Sequence, residues 1–450
     1  MKRNKEGLLR QRLRKLTWPI FVETTLMILL GIGDTFMLGG YSDYAVGAVG
    51  AANQILNTVF LLFGVVTTGT SVLVSRYMGE RNDLSVRAII VVSIAFNLIF
   101  GAAVSLILWL KADAIITGME IRPELYANAV SYLKIIGAFA FLQSMALTIS
   151  AILRSLQRPK FPMVSIAIVN IVNIIGDYVF IYGHWGVSEM GVIGAATTTI
   201  IARSIYLGIL IFSLFGIVMK RQFHHSDVLP FKWKKLSEVL KIGLPSAGEQ
   251  LSYATAQIVI LFFINQISNE ALIARTYVAN IVMITYLYTF AVSQSCSISV
   301  SYLIGERRLK AANVITLICT KETIIVSIIV GALIAAFARP IVSLFTDNQE
   351  ILMLTAIVVW IDVVLEVGRA LNMVVIQALR AAGDYIFPVA FGALSVWGIS
   401  VGVSYVLGIT FGLGLCGIWL GMAMDENFRG VFMLHRWNKQ GWAKKLKIEN

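Results

Sequence analysis

Charge is scarce in this chain: only 14% of its 450 residues are Asp, Glu, Lys or Arg, while 58% are hydrophobic and the mean hydropathy is +0.79. Apolar runs recur along the whole length, which excludes an ordinary soluble domain of this size. Cysteine is almost missing. Cys296, Cys319 and Cys416 are odd in number and lie in apolar stretches, so neither a disulfide framework nor a thiolate metal site is expected. No histidine falls mid-helix, and the pair His224-His225 has no further ligands near it and reads as solvated loop. Neither an HExxH pattern nor a GxxxxGK[ST] loop occurs, which argues against a metalloprotease and against an ATP-driven pump. The basic opening MKRNKEGLLRQRLRKL lacks a cleavage site after it and reads as a retained, interfacial flank.

What is present is a series of runs long enough to cross a bilayer, which takes about 20 residues each. Twelve helices are expected, at approximately 15–40, 46–75, 86–111, 124–154, 161–183, 190–219, 238–266, 272–304, 311–338, 350–380, 386–410 and 415–437. The net charge of +12 does not indicate nucleic acid, because most of the basic residues gather at the two ends and in alternate loops. Lys111, Arg122, Arg275 and Arg339 fall in the intervening loops, and Lys134, Arg203, Arg369 and Arg429 within helices. That asymmetry is the positive-inside pattern and places both termini in the cytoplasm. The expected class is an all-α, multi-pass protein of the cytoplasmic membrane. It divides into a lobe at 1–219, a linker at 220–237 and a second lobe at 238–450.

The two lobes are copies. Adding 226 to a first-half number carries Pro19 to Pro245, Glu23 to Glu249, Gly79-Glu80-Arg81 to Gly305-Glu306-Arg307 and Arg154 to Arg380. The same step carries Pro162 to Pro388, Gly191 to Gly417 and Arg203 to Arg429. With six helices each, both copies start on the same side, giving parallel repeats around a central cavity. Charges present in both copies suit the shared architecture, and those present in one suit function. Asp34, Asn173 and Asp177 map to Ile260, Ile399 and Val403, whereas Asp362, Glu366, Arg369 and Asp425 map to Ile136, Ala140, Gln143 and Thr199.

Asp34 lies inside an apolar run, where a carboxylate costs at least about 2.5–3.5 kcal/mol. It is either a paired structural acid or a site that binds and releases a cation. Asn170, Asn173 and Asp177 share one face of the fifth helix, and Thr197, Thr198 and Thr199 could add oxygens from the sixth. Such oxygens suit a proton or Na+, and equally a hydrogen-bonded network between helices. In the second half, Glu366 with Arg369 and Asp425 with Arg429 stand at pairing distance on one helix, and Asp362 has no such neighbour. Within the helices the acids Glu23, Asp34, Asp177, Glu249, Asp362, Glu366, Asp425 and Glu426 outnumber the bases, which favours cationic cargo. The Met residues and aromatics could line a forgiving cavity, or simply pack.

The stretches GIGDTFMLGGYSDYAVGAVGAANQI (31–55), VSRYMGER (74–81), LRSLQRPKFP (153–162), NIVNIIGDYVFIYG (170–183), GVIGAATTT (191–199) and GLPSAGEQ (243–250) come in a specific order, followed by LEVGRALN and ALRAAGDYIFP in the second half. Together they resemble the multidrug and toxic compound extrusion (MATE) transporters over essentially the whole chain, and its DinF-like prokaryotic branch most. The resemblance implies a twelve-helix antiporter exchanging organic cations or other drugs for H+ or Na+, with no cofactor and no catalytic residue. It implies that Asp34, Asn173 and Asp177, with sixth-helix groups near Ala195 and Thr199, form the cation-coupling site. Na+, if used, would bind at Asp34, Asn173, Asp177 and Thr199. Asp362, Glu366, Arg369 and Asp425 are left as a second polar site. Another branch relies on a deeper seventh-helix acid, a role Glu249 does not inherit. Partners are small molecules and the bilayer, and a monomer is expected. The rival readings are a lipid-linked oligosaccharide flippase, which would want a basic cavity, an intramembrane enzyme, and a channel or receptor.

The topology is directly testable. Single cysteines at Ser188 and Ser226 should label from opposite sides of intact cells, Ser188 from outside. Labelling of both from one side would remove the twelve-helix topology.

Overall fold

The computed structural model describes residues 6–219 and 231–443, and the backbone alone of residues 2–5. The greater part of the expected linker, with His224, His225 and Ser226, lies outside the described residues. The long apolar runs form helices because a chain in hydrocarbon must satisfy every backbone N–H and C=O internally. They are α1 (Lys2–Tyr41), α2 (Asp43–Gly79), α3 (Asp83–Thr117), α4 (Pro123–Ala138 and Ala140–Ser155), α5 (Lys160–Tyr182) and α6 (Gly191–Val218). The second series is α7 (Trp233–Ile267), α8 (Asn269–Gly305), α9 (Leu309–Ala336), α10 (Gln349–Ala381), α11 (Ile386–Thr410) and α12 (Gly414–Asn438). Ten of these are long and apolar enough to cross a membrane by themselves, and α4, bent by 48° at Phe139, makes an eleventh. The twelfth, α12, is 25 residues long, about 37 Å at 1.5 Å per residue. It is less apolar because it carries Asp425, Glu426 and Arg429. The protein is thus a multi-pass, all-α membrane protein, with twelve helical spans among the described residues.

The copies inferred from sequence have the same backbone plan. The starts of α2, α3, α4 and α5 lie 226 residues before those of α8, α9, α10 and α11. The turns after α2 and α8 match as well: Arg81 (φ 57°) and Arg307 (φ 59°) both take left-handed backbone after an αR glutamate. Glu23 pairs with Arg154 at 3.7 Å, and its counterpart Glu249 pairs with Arg380 at 2.5 Å. The repeated acid and base are therefore one ion pair built twice.

The helices pack into two units, Val22–Leu244 and Pro245–Asn450 with residues 1–21. Both α1 and α7 carry an internal proline, Pro19 and Pro245, at these boundaries. Leu13, Leu16 and Ile20 of α1 are buried in cores shared with α8 and α10. In the first-half unit, Leu38, Val49, Phe63, Leu133 and Ile136 belong to one core. In the second-half unit, Ile260, Val358, Leu365 and Trp419 do.

Several expectations are corrected. Helix α1 begins well before residue 15, and α7 begins at Trp233, because the basic stretches there are amphipathic and continue the helix past the apolar run. Arg275 and Lys111 lie within α8 and α3 rather than in loops. Arg380, grouped with the loop bases by sequence, is buried against Glu249. Acids nonetheless dominate the buried charges: Glu23, Asp34, Asp177, Asp362, Glu366, Asp425 and Glu426 against Arg380 and Arg429.

Close approach in the first-half unit depends on glycine. A Cβ at Gly69 would stand 2.2 Å from the Val239 carbonyl oxygen, and one at Gly243 would stand 1.9 Å from that of Val65. Gly64, on the same helix as Gly69, has open space around the equivalent point. Gly69→Ala and Gly243→Ala should each cost about 1–3 kcal/mol through overpacking, read as a lowered melting temperature in detergent. Gly64→Ala should be neutral or stabilising through helix propensity. Equal melting temperatures for all three would show that the α2–α7 approach is not tight.

Candidate cation site in the first-half unit

Three helices bring the first-half polar residues together. Helix α1 contributes Asp34, which is 7% exposed. Helix α5 contributes Asn170, Asn173 and Asp177, all buried, since spacings of three and four keep them on one face. Helix α6 contributes Ala195, Thr198 and Thr199, also buried. Thr197 turns away: its hydroxyl is spent on the Ile193 carbonyl at 2.8 Å in an exposed position.

Small residues set the spacing. A Cβ at Gly176 would lie 2.5 Å from Thr198 Cγ2, and one at Gly194 would lie 2.5 Å from the Phe180 carbonyl oxygen, so α5 and α6 touch almost backbone to backbone. Helix α5 is tied to α1 at two points. Asn170 Nδ2 donates to the Leu26 carbonyl at 2.8 Å, and the Tyr182 hydroxyl donates to the Met37 carbonyl at 2.6 Å. Asp34 lies in α1 between these ties, so a shift of that segment of α1 relative to α5 must alter one or both.

Around Asp34 are Asp177, Thr199 and Asn173, with the guanidinium of Arg203 close by. The Thr199 hydroxyl reaches Asp34 Oδ2 at 3.4 Å, long for such a bond, while bonding the Ala195 carbonyl at 2.9 Å. Asp177 lies beside Asp34 and Thr198. Asp34 Oδ1, both carboxylate oxygens of Asp177, Asn170 Oδ1 and Thr198 Oγ1 are buried without a hydrogen-bond partner in the protein. Such groups are expensive to leave bare. Hard oxygens from two carboxylates, an amide and hydroxyls fit a proton or a small hard cation such as Na+. Among the described residues no group of three or more His, Cys, Asp or Glu is placed to hold a metal ion.

Two participants were missed by sequence reasoning. Arg203, assigned there to shared architecture, stacks over Phe60 at 5.2 Å and acts electrostatically on Asp34 and Tyr132. Tyr132 of α4 is buried near Asp34, Asp177 and Asn53. A signal for Arg203 existed: its counterpart Arg429 has acids one turn earlier, whereas Arg203 has Thr199 and Ile200 there, so its partner had to come from another helix.

The second-half acids are placed differently. Glu366 pairs with Arg369, Asp425 with Arg429 at 2.8 Å, and Glu426 with the same Arg429 at 3.0 Å. Ser395 donates to Asp425 at 2.5 Å and Asn372 to Glu426 at 2.9 Å. Asp362, which lacked a partner in sequence, accepts the Trp419 indole N–H at 2.9 Å.

Comparison with known proteins adds to this geometry. The MatE family pattern matches residues 19–179 and 245–406, one block in each half. The uncharacterized transporter YisQ of Bacillus subtilis is 36% identical over 433 residues, covering 96% of this chain and 94% of that one. The probable multidrug resistance protein NorM of Thermotoga maritima is 27% identical over 445 residues, covering 98% and 94%. Among solved structures, a MOP superfamily transporter from Pyrococcus furiosus superposes with a TM-score of 0.89 at 20% identity, over 98% of this chain and 97% of that chain.

Proposed function

Because the chain belongs to the MatE family of transporters, we propose that it is a multidrug efflux transporter exchanging amphipathic, often cationic compounds for H+ or Na+ by alternating access. The name of its NorM relative supports the cargo class. The observation that carries the coupling mechanism is the set of unpartnered carboxylate oxygens on Asp34 and Asp177. With the charge of Arg203 beside them, two carboxylates and one guanidinium leave a single negative charge. One monovalent cation completes that set.

The cycle is mutual exclusion. A proton or Na+ from outside engages Asp34 and Asp177, with Asn173 and the Thr199 hydroxyl supplying further oxygen. Neutralising the carboxylates shifts α1 against its ties to α5, and the cavity loses affinity for cargo. Release of the ion inside restores the charge and the affinity. The ion drives the cycle only because it binds the two states unequally. In this reading both termini face the cytoplasm and the protein works as a monomer. The second-half acids Glu366, Asp425 and Glu426, already paired with arginines, are structural.

Gradient-driven uptake into inverted vesicles at matched expression tests the assignment. Asp34→Asn should abolish it while leaving the protein folded, because the amide keeps the shape and removes the titration. Asp177→Asn should do so or nearly so. Asp362→Asn should retain a substantial part of the transport. An active Asp34→Asn beside a dead Asp362→Asn would move the site to the other half.

A further inference from the structure

The second-half unit contains a cavity of about 190 Å³ that the coupling cycle does not use. Its place in the unit is informative. On its wall are Ile260, Ala279 and Tyr286, which the 226-residue step identifies as the counterparts of Asp34, Asn53 and Phe60. The cavity therefore adjoins in its unit the position that Asp34 holds in the other, although Ile399 and Val403, the counterparts of Asn173 and Asp177, are not on its wall.

Its chemistry is inverted. The coupling acid is replaced by Ile260, 1% exposed, and the cavity has gained Arg275 and Asp362 on other walls. The counterparts of these two, Val49 and Ile136, are 2% and 1% exposed members of the first-half core. The shared scaffold thus closes without a charge at either position, and fold maintenance does not account for them.

Arg275 is the free group. Half-buried in α8, it makes no ion pair or hydrogen bond among the described residues. Arg369 also borders the cavity, but Glu366 takes up its charge, and Asp362 accepts from Trp419. The remaining wall is aromatic and soft, with Tyr253, Tyr286, Trp419 and Met283. A planar, five-donor guanidinium facing such a wall matches a carboxylate on an aromatic ring. The volume, below the roughly 300 Å³ of a whole drug-sized site, takes one ring and its acid.

We propose that this cavity is a subsite for the carboxylate-bearing aromatic end of the cargo, with Arg275 as the carboxylate receptor. The cargo is then zwitterionic, its cationic part answering the acid excess and its acid seated at Arg275. The proposal rests on the reading that the chain binds amphipathic small molecules, but not on ion coupling.

Equilibrium binding to the purified protein in nanodiscs, without any gradient, tests it with rhodamine B and its ethyl ester, which share the cationic ring system and differ in the free carboxylate. The parent should bind the acid about tenfold more tightly than the ester, the scale of one charge-assisted contact. Arg275→Gln should lose that advantage by weakening the acid alone, and Arg275→Lys should restore part of it. Benzoate should displace rhodamine B from the parent and benzamide should not, a comparison that holds even if Arg275→Gln fails to fold. Equal binding of acid and ester by the parent, equal displacement by benzoate and benzamide, or a loss in Arg275→Gln shared by both dyes would overturn the subsite. Binding of neither dye would overturn it together with the small-molecule reading. A protein that shows the acid preference but no ion-driven transport would leave the subsite standing and remove only the coupling.

Discussion

A carboxylate held in a low-dielectric interior must be paired, hydrogen-bonded or neutralised, and this requirement orders the polar interior of the protein. Glu23 and Glu249 have Arg154 and Arg380; Glu366 has Arg369; Asp425 and Glu426 share Arg429. Asp362 has the Trp419 indole. Among the described buried acids, Asp177 is the one whose two carboxylate oxygens both lack a hydrogen bond, and it lies beside Asp34, which leaves one oxygen in the same condition. The unfinished electrostatics are thus greatest at one place, the one where the proposed coupling cation would complete them.

The internal repeat acts as a built-in control. One scaffold is used twice, with the same helix starts, the same left-handed turn at Arg81 and Arg307, and the same Glu–Arg pair. Against that background the differences stand out. The first-half unit puts acids and amides where α1, α5 and α6 meet. The second-half unit fills the matching positions with Ile260, Ile399 and Val403, and a cavity opens beside the first of these. Duplication followed by divergence of the two interiors would give one unit for the ion and the other for recognition of cargo.

Much of this was legible in sequence, for physical reasons. Helical spans follow from hydrophobic length, and the repeat from a single constant spacing. Asn173 and Asp177 could be placed on one face because helical geometry fixes positions three and four apart, and the pairs Glu366–Arg369 and Asp425–Arg429 were readable for the same reason. Contacts between helices were not. Arg203 reaches an acid on α1, Tyr132 enters from α4, and Trp419 reaches Asp362 from α12, none of which sequence spacing encodes. The start of α1 was hidden because charged residues in an amphipathic turn look like loop when hydropathy alone is read.

The central claim is that ion and cargo exclude one another through Asp34 and Asp177. It is tested most directly by adding a cationic dye to the purified protein in weakly buffered solution and recording proton release, with the release of radioactive Na+ followed in parallel. Mutual exclusion predicts about one ion released per dye bound by the parent, and none by Asp34→Asn, which should still bind dye. Dye binding by the parent without release of either ion, or equal release from Asp34→Asn, would contradict the account.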